Sequence, residues 1–286
     1  MQIPTQKPNP LMGLMRQPKI YITLPSQGKF WPEGALIPTA TNEYPVYSMT
    51  ARDELILKTP DALLNGQAVV DVIQSCVPNI IDAWQCPQTD VDAILIAIRL
   101  ATYGENMDTN VTIKGVEATY SIDLKDVLSQ LMSSPQWEDR IEVAPNLIIY
   151  VKPLNYREIS KASAETFETQ RIINIVNDES LEEDKKLEIF TQSFNKLTKM
   201  TLDIVTDTVY RIDTTAGTVT EKEFIVEFMN NCDKTVFNAV KTHLDKLKDI
   251  IAIKPMRVKA TEEMVAAGSA EEVEVPLVFD PSTFFG

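Results

Sequence analysis

Histidine is almost missing from this chain. The single one, His243, falls inside a helical pattern, and a lone imidazole there is a structural side chain far more often than a catalytic one. Glycine is scarce too. Its nine residues are scattered, with no G-x-G-x-x-G or G-x-x-x-x-G-K run to cradle a phosphate. G-x-S-x-G and H-E-x-x-H are also missing, so no nucleophile or zinc-hydrolase motif is present. Cysteine stops at three, Cys76, Cys86 and Cys232. An odd number without framework spacing fits a reducing compartment, and two buried thiols explain Cys76 and Cys86 better than a metal site without partners. No apolar run reaches the ~20 residues of a membrane span, and the first residues lack a charged-then-apolar signal pattern. Positive charge is outnumbered, 27 Lys and Arg against 41 Asp and Glu, for a net charge of −14. That balance excludes a phosphate-neutralising nucleic-acid surface and adsorption to anionic lipid. It leaves solubility, or a basic partner. No catalytic residue, metal ligand or cofactor is assigned.

What is present is an ordinary globular composition, 44% hydrophobic and 24% charged over 286 residues, enough for one large or two modest domains with a sizeable core. The chain is organised around Val46–Gly104, which reads as three short helices. Thr50 with Asp53 caps the first. Thr59-Pro60 restarts the chain, and Asn65-Gly66 interrupts it. Val69, Val72, Ile73, Cys76 and Val77 then share one helical face, which Pro78 ends. The third helix, Asp90–Tyr103, is apolar nearly all round, with Arg99 its only charge after the first turn and Gly104 at a left-handed C-cap. Asp90 and Asp92 lie two apart, on different faces, and read as first-turn dipole and capping groups.

Around that core the pattern predicts an α+β protein: an N-terminal domain of short helices and two β-hairpins, followed by a region of long antiparallel helices. Residues 1–19 form an extended Pro-rich arm and 20–152 the mixed domain. A strand at Ile20–Leu24 leads to Phe30 and Trp31, set between turn residues. They either plug their own core or anchor a partner. Val111–Leu124 is a hairpin turning at Lys114-Gly115, and Lys125–Met132 a short helix. Arg140–Val143 and Leu147–Val151 form a second hairpin whose return strand, apolar on both faces, belongs inside a sheet. Residues 153–254 are the long-helix region, with capping boxes at Asn155/Glu158, Ser180/Glu183 and Thr220/Glu223. Leu187, Phe190, Phe194, Leu197, Thr201, Ile204 and Thr208 make a heptad seam, and Leu202, Val205, Val209 and Ile212 an adjacent stripe toward the end of the same helix. Asp213–Gly217 joins it to a last helix running to about Ile253. The seam packs within the chain by default; a projecting assembly arm is the alternative. Residues 255–275 read as an acidic linker. Residues 276–286 read as an apolar docking tail carrying Phe279, Phe284 and Phe285, unless the tail folds back on its own core.

The words between the helices, LKTPDALLNG, QSCVPNI and DVDAILIAIRLATYG, together with LPSQGKFWPEG upstream and the closing VPLVFDPSTFFG, resemble the baseplate hub assembly proteins of T-even-type contractile-tailed bacteriophages. The likeness covers Leu24–Leu124 and the last dozen residues, and is weaker between. It implies a non-enzymatic protein that binds other baseplate and tail proteins, with Phe30, Trp31, Phe279, Phe284 and Phe285 as partner-binding candidates. Such a protein acts as a departing assembly chaperone or as a structural hub subunit, made in the host cytoplasm and, in the second case, kept in the virion. Homo-oligomerisation stays open. In some relatives the first hairpin carries paired cysteines like half a zinc site; Lys114–Ala118 offers no thiol or imidazole, so no zinc is expected. A host-directed enzyme or regulator sharing the fold is the alternative from another class.

Overall fold

The computed structural model describes residues 10–59, 66–163, 183–277 and 284–285. Strand β1 (Pro18–Ile22) pairs antiparallel with β2 (Tyr44–Tyr47), and both lie on the helices that follow. Helix α1 (Ala51–Leu57) opens with the expected capping box: Thr50 accepts from the Asp53 N–H, and the Asp53 carboxylate accepts from the Thr50 N–H. Helix α2 (Gln67–Cys76) buries Val69, Val72, Ile73 and Cys76, the predicted stripe. Its entry at Gly66 needs glycine twice over. The backbone there is left-handed, at φ 78°, and a Cβ would meet Ser160 Oγ at 2.8 Å. The expected restart at Thr59-Pro60 and break at Asn65 fall largely outside the described residues.

Helix α3 (Gln88–Tyr103) is buried along nearly its whole length. It ends at Gly104, whose φ of 93° and ψ of −167° lie outside the expected left-handed helical region but in one still open chiefly to glycine. Strands β3 (Asn106–Ile113) and β4 (Val116–Asp123) form a hairpin closed by Lys114 (φ 52°) and Gly115 (φ 81°). Two successive positive-φ residues match strand twist across a two-residue loop. Helix α4 (Leu124–Ser133) follows, with Val127 and Leu131 inward.

These elements share one cluster of buried side chains, from Ile22 to Leu131. Part of the expected N-terminal arm closes it. Arg16 donates to Ser48 O (2.7 Å), Ser75 O (2.6 Å) and Ser75 Oγ (2.9 Å), and lies 3.6 Å from the buried Asp53 carboxylate. Arg16→Ala should lower the unfolding free energy by about 1–3 kcal/mol, since it strips several charged hydrogen bonds while leaving Asp53 its Thr50 and Ser75 donors. A urea midpoint equal to the parent's would contradict this.

A second buried cluster begins at Trp137. Strands β5 (Arg140–Ala144) and β6 (Leu147–Val151) pair, but the sheet has four strands in the order β5-β6-β7-β8, with β7 (Val209–Thr214) and β8 (Gly217–Val219) completing it. The inner place of β6 suits its two-sided apolar character. The hairpin expected in the N-terminal region thus packs with the helices α5 (Glu183–Thr208), α6 (Lys222–Asn231) and α7 (Lys234–Ile251).

Several expectations for this half are corrected. The seam helix stops at Thr208, and Val209 and Ile212 are strand residues. Asp213–Gly217 turns a hairpin instead of joining helices. The last helix is two, broken at Cys232-Asp233, where the Asp233 side chain caps α7 by accepting from the Thr235 N–H. The Asn155/Glu158 box forms; the one at Thr220/Glu223 does not, Glu221 being the N-cap without a side-chain bond. Ser180 lies outside the described residues. The acidic linker contains order: β9 (Met256–Lys259) pairs with β10 (Glu272–Val275) around α8 (Glu262–Ala266). Val273, Val275 and Met264 are buried there while the glutamates face out, so alternation outweighs the acidic composition.

Candidate functional site

The phrase LPSQGKFW is fastened to α3 by one carboxylate. Asp90, fully buried, accepts from the Ser26 N–H (2.7 Å) and Thr89 Oγ1 (3.4 Å) on one oxygen. On the other it accepts from Ser26 Oγ (2.5 Å) and Trp31 Nε1 (2.8 Å). Burial raises its carboxyl above the usual 3.8, and those donors pull it part of the way back. This corrects the reading of Asp90 as a capping group, since Pro87 is the N-cap and offers no side-chain bond. Sequence reasoning missed the role because the donors come from 59 and 64 residues away. The loop it holds is strained. Gln27 (φ 55°) and Phe30 (φ 67°) both sit in left-handed conformations, costly for residues with a Cβ. Phe30 and Trp31 are half-buried, with Trp31 packed against the first cluster.

The apolar tail is placed on the opposite end of the same helix. Phe284 and Phe285 are 3% and 5% exposed, members of the first buried cluster, with their rings edge-on at 5.0 Å. This is the fold-back arrangement. Arg99 Nη1 donates to Phe284 O, and its guanidinium lies 5.1 Å from the Phe284 ring centre and 5.3 Å from that of Tyr103. Tyr103 Oη donates to Phe285 O at 2.8 Å. Desolvation lowers the Arg99 pKa, and its Nε is buried with no hydrogen-bond partner among the described residues. Phe279 lies outside the described residues.

The thiols of Cys76 and Cys86 are buried. Burial pushes Cys76 up to about 12 and raises Cys86 well above its ordinary value. His243 Nε2 bonds the Glu138 carbonyl at 2.7 Å, tying α7 to the approach of β5.

Helix α5 carries the other notable surface. Leu187, Phe190 and Phe194 are 66%, 52% and 61% exposed, and the two phenylalanine rings stack at 6.5 Å. Among the described residues the first half of the predicted seam is therefore uncovered, while at its far end Ile204 is half-buried and Thr208 buried.

The described residues thus form a helical core flanked by small antiparallel sheets, with aromatics both anchored and displayed. Comparison with known families decides what it is. Residues 17–271 match the family model described as T4 bacteriophage base plate protein. The chain belongs to this family. No curated protein and no solved structure matches it. The matched range runs from β1 through β9 and α8, taking in the whole second cluster and all of the first except its tail residues, and stops before β10 and the Phe284-Phe285 tail. A T4-type baseplate protein works among other phage tail proteins, as a component of the virion tail. Among the described residues, no helix is long and apolar enough to cross a membrane.

Proposed function

We propose that this baseplate protein is a structural subunit of the baseplate hub, non-enzymatic, made in the host cytoplasm and retained in the tail. Its work is binding: it holds other tail proteins in order through displayed apolar side chains. The observation that carries the reading is the family match along nearly the whole chain. The exposed Leu187–Phe190–Phe194 stripe supports it, since a monomer gains nothing by leaving two stacked aromatics in water.

Loss of this gene product in the phage that encodes it should leave filled heads without completed tails in electron micrographs of infected cells. Normal tails would contradict the proposal. At residue level, Phe190→Ala with Phe194→Ala should change unfolding free energy by no more than about 0.5 kcal/mol, as expected of exposed positions. The same pair should weaken binding to purified baseplate proteins by about tenfold or more. Unchanged binding would remove the stripe from the interface.

A further inference from the structure

The two buried clusters are joined loosely. Among the described residues, the chain passes between them at 134–136 after α4, at 152–154 after β6, and at 252–255 between α7 and β9. All three crossings are irregular backbone. The hydrogen bonds that the described residues make between the two halves gather at one junction, where Pro87 and Asn155 form an isolated antiparallel bridge. Gln88 N–H donates to Leu154 O (2.8 Å) and Tyr156 N–H to Cys86 O (2.9 Å), and Asn155 Nδ2 donates to Gln85 Oε1 (3.3 Å). Three residues before the bridge, Lys152 N–H already belongs to the second half, donating to Thr208 O at the end of α5 (2.8 Å).

Beside that junction the interface is hollow. A cavity of 200 Å³ lies between Gln88 and Leu154 on one side and Ile204 and Leu244 on the other. Past Trp137 it narrows to a waist at Ser26 and Thr89. Beyond Leu131 and Pro135, which line the waist as well, it widens to 480 Å³ between α4 and the end of α7, where Ile250 and Ile253 form the facing wall. Interiors of single packed bodies leave few voids larger than a water molecule. Two bodies that meet across a line of cavities, without a large and closely packed interface, move relative to each other by default. Loop residues at element ends are the positions that absorb such movement.

We infer that the two halves are hinged bodies. The half built on β5–β8 with α5–α7 rotates on the half built on α1–α4, and the cleft between α4 and α7 opens and closes. Residues 134–136, 152–154 and 252–255 flex, and the Pro87–Asn155 bridge is the pivot. The waist is lined by Ser26 and Thr89, both donors to Asp90, so the rotation bears on the pinned loop. The exposed α5 stripe rides on the other half. A partner that seizes the stripe thereby moves a wall against that loop. The hinge itself does not rest on the baseplate reading.

Spin-label distances in frozen solutions of the full-length chain test it, with Cys232→Ser to remove the half-exposed thiol and the two buried cysteines left in place. Ser129→Cys on α4 with Lys234→Cys on α7 spans the cleft. Ser129→Cys with Arg52→Cys, and Lys234→Cys with Gln192→Cys, each stay within one half. All four sites are exposed helix positions. The cross-cleft distance distribution is expected to be at least about twice as wide as either control, or split into two peaks, as hinged bodies trapped at several angles require. A cross-cleft distribution as narrow as the controls overturns the inference. So does a control as wide as the cross-cleft pair, since the spread would then belong to one element. Either failure leaves the hub reading standing, because that is tested on phage particles.

Discussion

Asp90→Ala is expected to lower the unfolding free energy by about 3–5 kcal/mol, the cost of breaking a buried, charge-assisted network from one side. The substitution orphans the Ser26 N–H, the Ser26 hydroxyl and the Trp31 indole N–H, each a desolvated donor worth about 1–3 kcal/mol when left unpaired. Asp90→Asn should be nearly as harmful, because its NH2 group faces donors in place of an acceptor. Urea titrations of the three proteins measure this directly; variants within about 1 kcal/mol of the parent would show that Asp90 is not the pin of the loop. The pH dependence has a definite sign. The carboxyl is raised above 3.8 in the folded protein, so the fold holds this proton more tightly than the unfolded chain does. Its contribution is greatest below the unfolded value and is lost as pH rises through the raised one. The stability gap between the parent and Asp90→Asn should therefore narrow as pH rises from about 3.8.

The tail gives the second large effect. A tail docked only on a partner leaves the melting temperature unchanged when its phenylalanines are removed. A tail seated on its own α3 does not. Phe284→Ala and Phe285→Ala should each cost about 3–5 kcal/mol, as for other buried phenylalanines. The double variant should cost less than the sum, because the rings touch. Thermal melts would decide: a double variant that melts with the parent would mean that the pair spends its time off the seat.

The N-terminal half was the more legible in sequence because its signals are local. The Thr50/Asp53 box, the stripe from Val69 to Cys76 and the Lys114-Gly115 turn each lie within a few residues and appear as read. The C-terminal half misled for a physical reason. Val209 and Ile212 are both buried three apart, which imitates helical spacing. They lie in a strand whose register shifts as Val151 pairs with Val209 and Tyr150 with Arg211. That bulge inserts Tyr210 and puts residues three apart on one face. Period alone does not separate such a strand from a helix. Much of the candidate site was illegible because it is non-local. Asp90 looks like a first-turn carboxylate until Ser26 and Trp31 are brought to it, and Arg99 a stray charge until the tail arrives 185 residues later. The exposed stripe on α5 was visible as a seam, but its lack of cover belongs to packing, which spacing does not report.

As a hub subunit, the proposed role, this baseplate family member would stay in the finished tail. Quantitative mass spectrometry of purified mature virions tests it most directly, against the other tail proteins as internal standards. A retained hub subunit is expected in a fixed ratio to the baseplate subunits across preparations. Its absence from virions, with abundance in extracts of infected cells, would rule out a retained subunit and make the protein an assembly chaperone that departs.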